Sequence, residues 1–173
     1  IDHANSHSSF FEDEAKISMS NLCQEITLPT TPLDSPNDEQ GEIALCILSA
    51  INVGQMTNDF KEMPELCDLA VRALDEVIDY QDYPIPAAEN STKRRRSLGI
   101  GYIGLAHFLA KNKVKYNDPE AWKLVHRLAE HFQYNLLKTS IQLSKEKGSC
   151  DGWNETKYFG GLMPIDHYKE DVD

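Results

Sequence analysis

The sequence has few cysteines and no closely spaced pair of them. The four are Cys23, Cys46, Cys67 and Cys150, and none belongs to a Cys-x-x-Cys motif. A disulfide-rich secreted scaffold or a structural zinc site needs more cysteines or a tighter spacing. This pattern argues against both and is typical of a cytoplasmic protein in a reducing compartment.

Excess positive charge and long apolar runs are missing as well. Lys and Arg number 17 against 28 Asp and Glu, giving a net charge of −11, whereas a general nucleic-acid-binding surface is basic. A local pocket for a small anionic substrate remains compatible with this charge. No stretch is apolar enough to cross a membrane, and the chain does not open on a signal segment. We therefore expect neither nucleic acid nor a membrane as a partner.

The chain begins at Ile1 rather than Met, which we interpret as the start of an excised, processed or split piece. Residues 1–19 are polar and predict a loop. His3 and His7 are four residues apart, a spacing that binds metal on a helix. Neither helical character nor a third ligand accompanies them, so no metal site is predicted.

The segment 21–29 carries the most unusual set of side chains. In an extended backbone, alternate residues point the same way, so Asn21, Cys23 and Glu25 share one face. The carboxylate disfavours a nearby thiolate, which keeps Cys23 a neutral thiol. Such a face suits hydrogen-atom chemistry, with Glu25 as the base for a substrate hydroxyl and Asn21 as a hydrogen-bonding anchor.

Two other interpretations of Cys23 stay open on the residues alone. A cysteine in a strand is commonly a small core residue, which would make the chain a non-catalytic α/β binding or assembly module with structural cysteines. A cysteine hydrolase would instead pair Cys23 with a histidine distant in sequence.

Hydrophobic periodicity predicts an α/β pattern of two apolar strands and three helices. The unbroken apolar run 43–48 is typical of a strand buried on both faces of a mainly parallel sheet, with Cys46 as a core residue. A helix is predicted from Asn58 or Asp59, with an apolar stripe of Leu66, Leu69, Ala70, Ala73, Leu74, Val77 and Ile78 and with Cys67 beside it. Pro84 and Pro86 predict a polar loop through Asn90.

The basic cluster 93–96 is short and isolated, which indicates a solvated turn or intramolecular salt bridges. Residues 99–104 match the Gly-x-Gly-x-x-Gly dinucleotide fingerprint. The residues before Gly99 are mostly charged rather than a hydrophobic strand, and no acidic strand end follows. These glycines are interpreted as close backbone packing at the start of a helix that runs to about Asn112.

A long helix is predicted from the opening sequence Asp118-Pro119-Glu120 to Lys147 and Gly148, with the Asp118 side chain as its cap. Its predicted apolar side is Val125, Leu128, Ala129, Phe132, Leu136, Ile141 and Leu143. His126 and His131 are five residues apart, so they do not share a helix face and are predicted to be surface or packing residues. The tail 149–173 is predicted to be ordered but irregular.

Four unusual blocks follow one another along the chain: Asn21-Leu22-Cys23-x-Glu25-Ile26, Leu28-Pro29-Thr30, Gly41-Glu42-Ile43-Ala44-Leu45-Cys46, and Asp79-Tyr80-Gln81-Asp82-Tyr83-Pro84-Ile85-Pro86-Ala87-Ala88. In order and spacing they resemble the catalytic domain of the large subunit of class I ribonucleotide reductases. The likeness extends from Asp2 to the end of the chain. Several ordered blocks are far more specific than any one short motif.

The resemblance implies a ten-stranded α/β barrel built from two five-stranded halves, with a radical cysteine at the tip of a loop in its centre. Cys23 matches that position. Residues 1–173 would be a partial catalytic barrel domain, because they supply too few strands to close a barrel. The face of Asn21, Cys23 and Glu25 would then lie on an extended finger loop rather than a sheet strand.

The same resemblance implies a role for each site residue. Cys23 would become a transient thiyl radical and take hydrogen from C3′ of a ribonucleoside diphosphate, while Glu25 accepts the 3′-hydroxyl proton. Asn21 would bind the ribose hydroxyls, and Leu22 would complete the substrate contact. Cys46 would supply reducing equivalents by forming a disulfide with a second, upstream cysteine that residues 1–173 lack.

The partners implied by the resemblance are the rest of the large subunit and a small subunit that generates the radical at a metal centre. Thioredoxin or glutaredoxin would serve as the reductant. No cofactor is expected to bind within residues 1–173. The radical-relay tyrosines, shuttle cysteines, phosphate-binding loop and nucleotide-sensing region of such enzymes are not recognisable here, so we predict that the chain alone is inactive.

Overall fold

The computed structural model describes residues 17, 19, 20, 27–163, 165 and 166. Within this part of the chain lie four strands, β1 (Met19–Ser20), β2 (Thr27–Leu28), β3 (Ile47–Asn52) and β4 (Leu98–Ile103), and four helices, α1 (Met63–Tyr80), α2 (Pro86–Arg95), α3 (Leu105–Lys111) and α4 (Pro119–Lys147). The chain divides into two compact units. One comprises the described parts of 1–46, 78–97 and 149–173, and the other comprises 47–77 and 98–148.

The second unit contains a parallel pair of strands, which confirms the prediction of parallel pairing for the apolar run. Register runs from Ile47 opposite Leu98 to Asn52 opposite Ile103. The predicted bounds and burial of this run were wrong: β3 begins at Ile47, and Leu48 is 52% exposed. The strand starts late because residues 42 and 43 bond elsewhere, with the Ile43 N–H donating to the Ala87 carbonyl at 3.1 Å.

The glycine-rich stretch 99–104 is mostly strand, where the sequence predicted the start of a helix. Gly99 and Gly101 lie inside β4, whose alternating Ile and Tyr side chains favour a strand. Gly104 ends the strand with φ +80°, and α3 begins at the next residue and closes at Asn112 as predicted. A dinucleotide fingerprint needs its glycines in the strand-to-helix turn, so this geometry differs from it.

The predicted close backbone packing is found at Gly104. A Cβ there would lie 2.6 Å from Oδ1 of Asn52 and 3.0 Å from the nitrogen of Gly54. The same Oδ1 accepts the Gly54 N–H at 3.1 Å. Lys111 Nζ donates to the carbonyls of Gly54 and Met56 at 3.2 and 3.1 Å, and so fastens α3 to the turn after β3.

Helix α1 begins at Met63, later than the predicted start at Asn58 or Asp59. Phe60 has φ +54°, which breaks a helical path, and the Asp59 carboxylate accepts a hydrogen bond from the Thr57 hydroxyl at 2.6 Å. The buried stripe of α1 is Met63, Cys67, Val71, Leu74 and Ile78. Cys67 therefore packs within the stripe, whereas Leu69, Ala73 and Val77, which were predicted to belong to it, are exposed.

The core of this unit forms where α1, α3 and α4 contact the two parallel strands. Its fully buried members include Val53, Met63, Cys67, Phe108 and Leu128. Tyr102 of β4 meets Phe132 edge to face, with ring centroids 5.5 Å apart. Aromatic edge-to-face contacts of this kind add to the hydrophobic burial.

Helix α2 occupies residues that were predicted to form a polar loop. Pro86 is the first residue of the helix and follows Ile85, whose backbone is extended. Proline is favoured at this position because the N–H that it lacks would have no partner in the helix. The buried face of α2 consists of Ala87, Ala88, Ser91 and Thr92. The proline pair therefore opens a helix instead of leading into a loop.

Helix α4 has the predicted bounds, with Asp118 before it and Gly148 after it. The side chain of Asp118 makes no cap and instead accepts the Lys115 N–H at 3.1 Å. Ile141 and Ala129, predicted to lie on the apolar side, are exposed, and so are His126 and His131 as predicted. In residues 149–163 of the tail, a short 3₁₀ turn (Trp153–Glu155) lies within chain that has no other helix or strand.

No helix among the described residues has the length and apolar content to cross a membrane.

Candidate functional site

The predicted site residues Asn21, Leu22, Cys23 and Glu25 lie outside the described residues, as do His3 and His7. The strands on either side of residues 21–26 are described. β1 and β2 are antiparallel neighbours, with Met19 opposite Leu28 and Ser20 opposite Thr27. The segment that carries the predicted face thus joins the ends of two paired strands.

Cys46 is the predicted site residue that the structure places. Ile17 and Leu28, 1% and 5% exposed, form a small buried cluster, and Ala44 and Cys46 pack against it. Cys46 is half-buried and lies directly before β3 rather than inside a strand. The fold therefore brings Cys46 beside β2, the strand that directly follows the segment carrying Cys23 and Glu25.

A single antiparallel bridge joins the residues after β2 to the residues before Cys46. Thr31 and Glu42 exchange two backbone hydrogen bonds, each 3.1 Å long. The Thr31 hydroxyl also donates to Oε2 of Glu42 at 3.0 Å. Because Thr31 follows β2 and Glu42 precedes Cys46, this bridge aligns the two segments that lead to the predicted site.

Two arginines at the end of α2 meet two buried carboxylates. Arg95 donates to both oxygens of Glu42, at 2.9 and 3.2 Å, and also binds Glu155. Arg94 pairs with Glu155 as well, and its carbonyl accepts the Gly152 N–H at 2.9 Å. We call Glu42, Arg94, Arg95 and Glu155 the arginine cluster. It confirms the prediction of intramolecular salt bridges for residues 93–96.

The arginine cluster holds Glu155 in the charged form. Burial raises the pKa of Glu155, but hydrogen bonds from Arg95 and Arg94 outweigh it, so the pKa lies below the ordinary value. Cations at the C-terminus of a helix also interact favourably with its dipole. Sequence reasoning missed the role of Glu42, which stands in one of the resembling blocks, and of Glu155, for which no local pattern signals a partner 60 residues away.

The two other described cysteines have the character of packing residues. Cys67 is fully buried, its Sγ lies 4.0 Å from the carbonyl oxygen of Phe132, and burial raises the pKa of its thiol to about 11. The pKa of Cys150 is also raised, chiefly by burial. Both thiols are protonated at neutral pH, and protonated thiols are poor nucleophiles and metal ligands.

Within the described part of the chain, no three His, Cys, Asp or Glu side chains are grouped so that they could hold a metal ion.

Comparison with known proteins gives a consistent result. The family model described as "Ribonucleotide reductase, barrel domain" matches residues 1–173. Similar proteins include the ribonucleoside-diphosphate reductase subunit alpha of Buchnera aphidicola from Schizaphis graminum, 55% identical, and that of Haemophilus influenzae, 56% identical. The ribonucleoside-diphosphate reductase 1 subunit alpha of Escherichia coli is 54% identical.

These alignments cover the whole of this chain but only 22% to 23% of each relative. The chain thus spans less than a quarter of the length of the curated relatives it matches. The described residues form an open α/β segment with two short separate sheets, as an incomplete part of a barrel would. The chain belongs to the ribonucleotide reductase barrel-domain family.

Proposed function

We propose that the chain is part of a ribonucleoside-diphosphate reductase and carries the residues that convert ribonucleotides to deoxyribonucleotides for DNA precursor synthesis. The observation that carries the proposal is the family match over residues 1–173, with more than half of the residues identical to the reductase alpha subunits of three bacteria.

Cys23 is the proposed radical residue, and Glu25 and Asn21 act beside it. The Cys23 thiyl radical takes hydrogen from C3′ of the nucleotide, and Glu25 accepts the 3′-hydroxyl proton as the 2′-hydroxyl leaves as water. Asn21 and Leu22 hold the ribose. The antiparallel pairing of Ser20 with Thr27 supports this assignment, because it brings together the two ends of the segment that carries these residues.

Cys46 is the proposed source of reducing equivalents. Two thiols, Cys46 and a second cysteine, are oxidised to one disulfide, while the carbon–oxygen bond at C2′ is replaced by a carbon–hydrogen bond and water is released. Thioredoxin or glutaredoxin then reduces the disulfide by thiol exchange. The packing of Cys46 against the cluster of Ile17 and Leu28 supports this role because these two residues lie on the segments before and after Cys23.

The proposed partners follow from the same family. They are the remainder of the large subunit, the small subunit that generates the radical at its metal centre, and a ribonucleoside diphosphate. No cofactor is proposed to bind residues 1–173, and the reaction is proposed to take place in the cytoplasm. The alternative of a binding module with structural cysteines fits the buried Cys67, but it assigns no role to Asn21, Cys23 and Glu25.

The test is a Cys23→Ser variant of a complete alpha subunit that carries residues 1–173, assayed with the small subunit and a dithiol reductant. Deoxynucleotide formation should fall to background because serine has no sulfur atom on which a thiyl radical could form. Cys150→Ser is the matched control and should keep its activity. Retained activity in Cys23→Ser, with an unchanged unfolding midpoint, would favour the structural-cysteine alternative.

A further inference from the structure

We propose that Arg95 is a positioning residue for the reducing step, because it holds the segment that ends at Cys46 in register with the segment that follows β2. The inference rests on the proposed function, since it concerns the same site. It is independent of which residue carries the radical.

The first observation is the burial and geometry of Arg95. Its side chain is 5% exposed and lies between two carboxylates, Glu42 and Glu155, whose side chains are 9% and 11% exposed. A guanidinium presents several N–H groups in a fixed plane and can bind two carboxylates at once. Arg95 therefore determines where both carboxylates lie.

The second observation is that Glu42 links the segment that follows β2 to the segment that ends at Cys46. Its backbone pairs with Thr31, and its Oε2 accepts hydrogen bonds from the Thr31 hydroxyl at 3.0 Å and from Arg95 at 2.9 Å. Cys46 follows Glu42 by four residues and packs against the cluster of Ile17 and Leu28. A shift of the Glu42 side chain would therefore pass directly to the Thr31 bridge and to Cys46.

Arg94, the other cation of the arginine cluster, holds Glu42 less closely than Arg95 does. Arg94 Nε lies 3.8 Å from Glu42, and its side chain is 47% exposed. Removal of the Arg95 charge would leave the largely buried Glu42 without its closer counter-ion among the described residues. Such carboxylates move toward solvent or take up protons, and either change removes the restraint on Glu42.

A displaced Cys46 has a particular chemical consequence. Hydrogen abstraction at C3′ and loss of the 2′-hydroxyl as water need only the residues near Cys23, and they leave a 3′-keto radical at C2′. When the Cys23 thiol returns its hydrogen to C2′, the thiyl radical is regenerated and a 3′-ketone remains, with no net redox change. The dithiol must then reduce this ketone. If reduction is slow, the acidified C2′ hydrogen is lost and the base leaves C1′ by β-elimination. Misplacement of the dithiol therefore diverts the 3′-ketone from deoxynucleotide to free base.

The experiment compares Arg95→Met and Arg95→Lys with the unchanged enzyme, in the complete alpha subunit with its small subunit. We expect kcat for deoxynucleotide to fall about 10- to 100-fold in Arg95→Met, the scale of a small misplacement of a reacting group. The KM for the nucleoside diphosphate should stay the same, and the ratio of free base to deoxynucleotide should rise. Arg95→Lys should restore part of the loss, because it keeps the charge without the fork.

Arg96→Gln is the matched control. Arg96 caps the same helix but pairs with Asp79, at 2.8 Å, outside the arginine cluster. It should leave kcat and the free-base ratio unchanged. If Arg95→Met does not fold, Thr31→Val decides the matter, since Thr31 is exposed and its hydroxyl donates to Glu42; it should raise the free-base ratio in the same direction.

The outcomes separate this inference from the proposed function. Activity that survives Cys23→Ser would overturn the proposed function. An inactive Cys23→Ser, together with Arg95→Met and Thr31→Val variants whose free-base ratio equals that of Arg96→Gln, would overturn the positioning role alone. A lower unfolding midpoint with an unchanged ratio would show that Arg95 serves stability only.

Discussion

At the residue scale, two features of position 104 require glycine: its positive backbone angle φ and the close approach of its neighbours. It has φ +80°, and a Cβ would approach Asn52 and Gly54 to 3.0 Å or less. We expect Gly104→Ala to lower the free energy of unfolding by more than about 1 kcal/mol, because alanine is strained at positive φ. Urea denaturation of the chain measures this change.

Gly101 provides the matched comparison for Gly104. It lies in β4, and a Cβ there would meet nothing within 4 Å. Gly101→Ala should be neutral or stabilise the chain by up to about 1 kcal/mol, since alanine restricts the unfolded chain. Equal destabilisation by the two substitutions would show that the contacts of Gly104 do not matter.

At the scale of elements, charged residues join α1 to α4. Arg72 of α1 binds Glu146 of α4 at 2.6 Å and Asp68 at 3.0 Å. Lys147 of α4 reaches back to Asp75 at 2.9 Å. These contacts lie at the end of α4 and supplement the apolar core between the two helices.

The pairing of Arg72 with Glu146 predicts a dependence on pH. Hydrogen bonds from Arg72, and next from Gln142, lower the pKa of Glu146 from its ordinary 4.5 to about 2. The folded-state pKa is the lower one, so this contribution to stability is present above about pH 4.5 and is lost as the pH falls toward 2. Glu146→Gln should therefore lower the unfolding midpoint at pH 7 but have little effect near pH 2.

Thermal unfolding of the variant and the unchanged chain between pH 7 and pH 2 checks this prediction. Glu130→Gln, an exposed carboxylate on the same helix, serves as the control and should shift the midpoint little at either pH. A Glu146→Gln deficit that persists undiminished in acid would mean that the ion pair is not its source. Added salt should reduce the deficit at pH 7, because the pair is exposed.

At the scale of the whole molecule, the chain is much shorter than the reductase alpha subunits that it resembles. It spans 22% to 23% of its relatives, and its described strands form two separate pairs. We predict no deoxynucleotide formation by residues 1–173 alone, even with the small subunit present. Activity should appear when the remaining parts of the large subunit are added, as followed by conversion of a labelled nucleoside diphosphate. Turnover by the isolated chain would contradict the prediction.

Local chemistry determined several features from the sequence alone. The ends of α4 follow from proline at its first position and glycine after its last, and both act through the backbone of the same few residues. The candidate site residues and the family were predicted from four ordered blocks of sequence. The family is confirmed, while the roles of Asn21, Leu22, Cys23, Glu25 and Cys46 stay predictions.

Other features depended on contacts between residues far apart in the chain. The late start of β3 follows from the Ile43 bond to Ala87, and the pairing of residues 98–103 with β3 turns a glycine-rich stretch into a strand. Glu42 and Glu155 lie 113 positions apart in the chain and share one arginine. Hydrophobic period and capping are local properties, whereas these interactions exist only once the chain has folded, and that is why the tertiary structure alone revealed them.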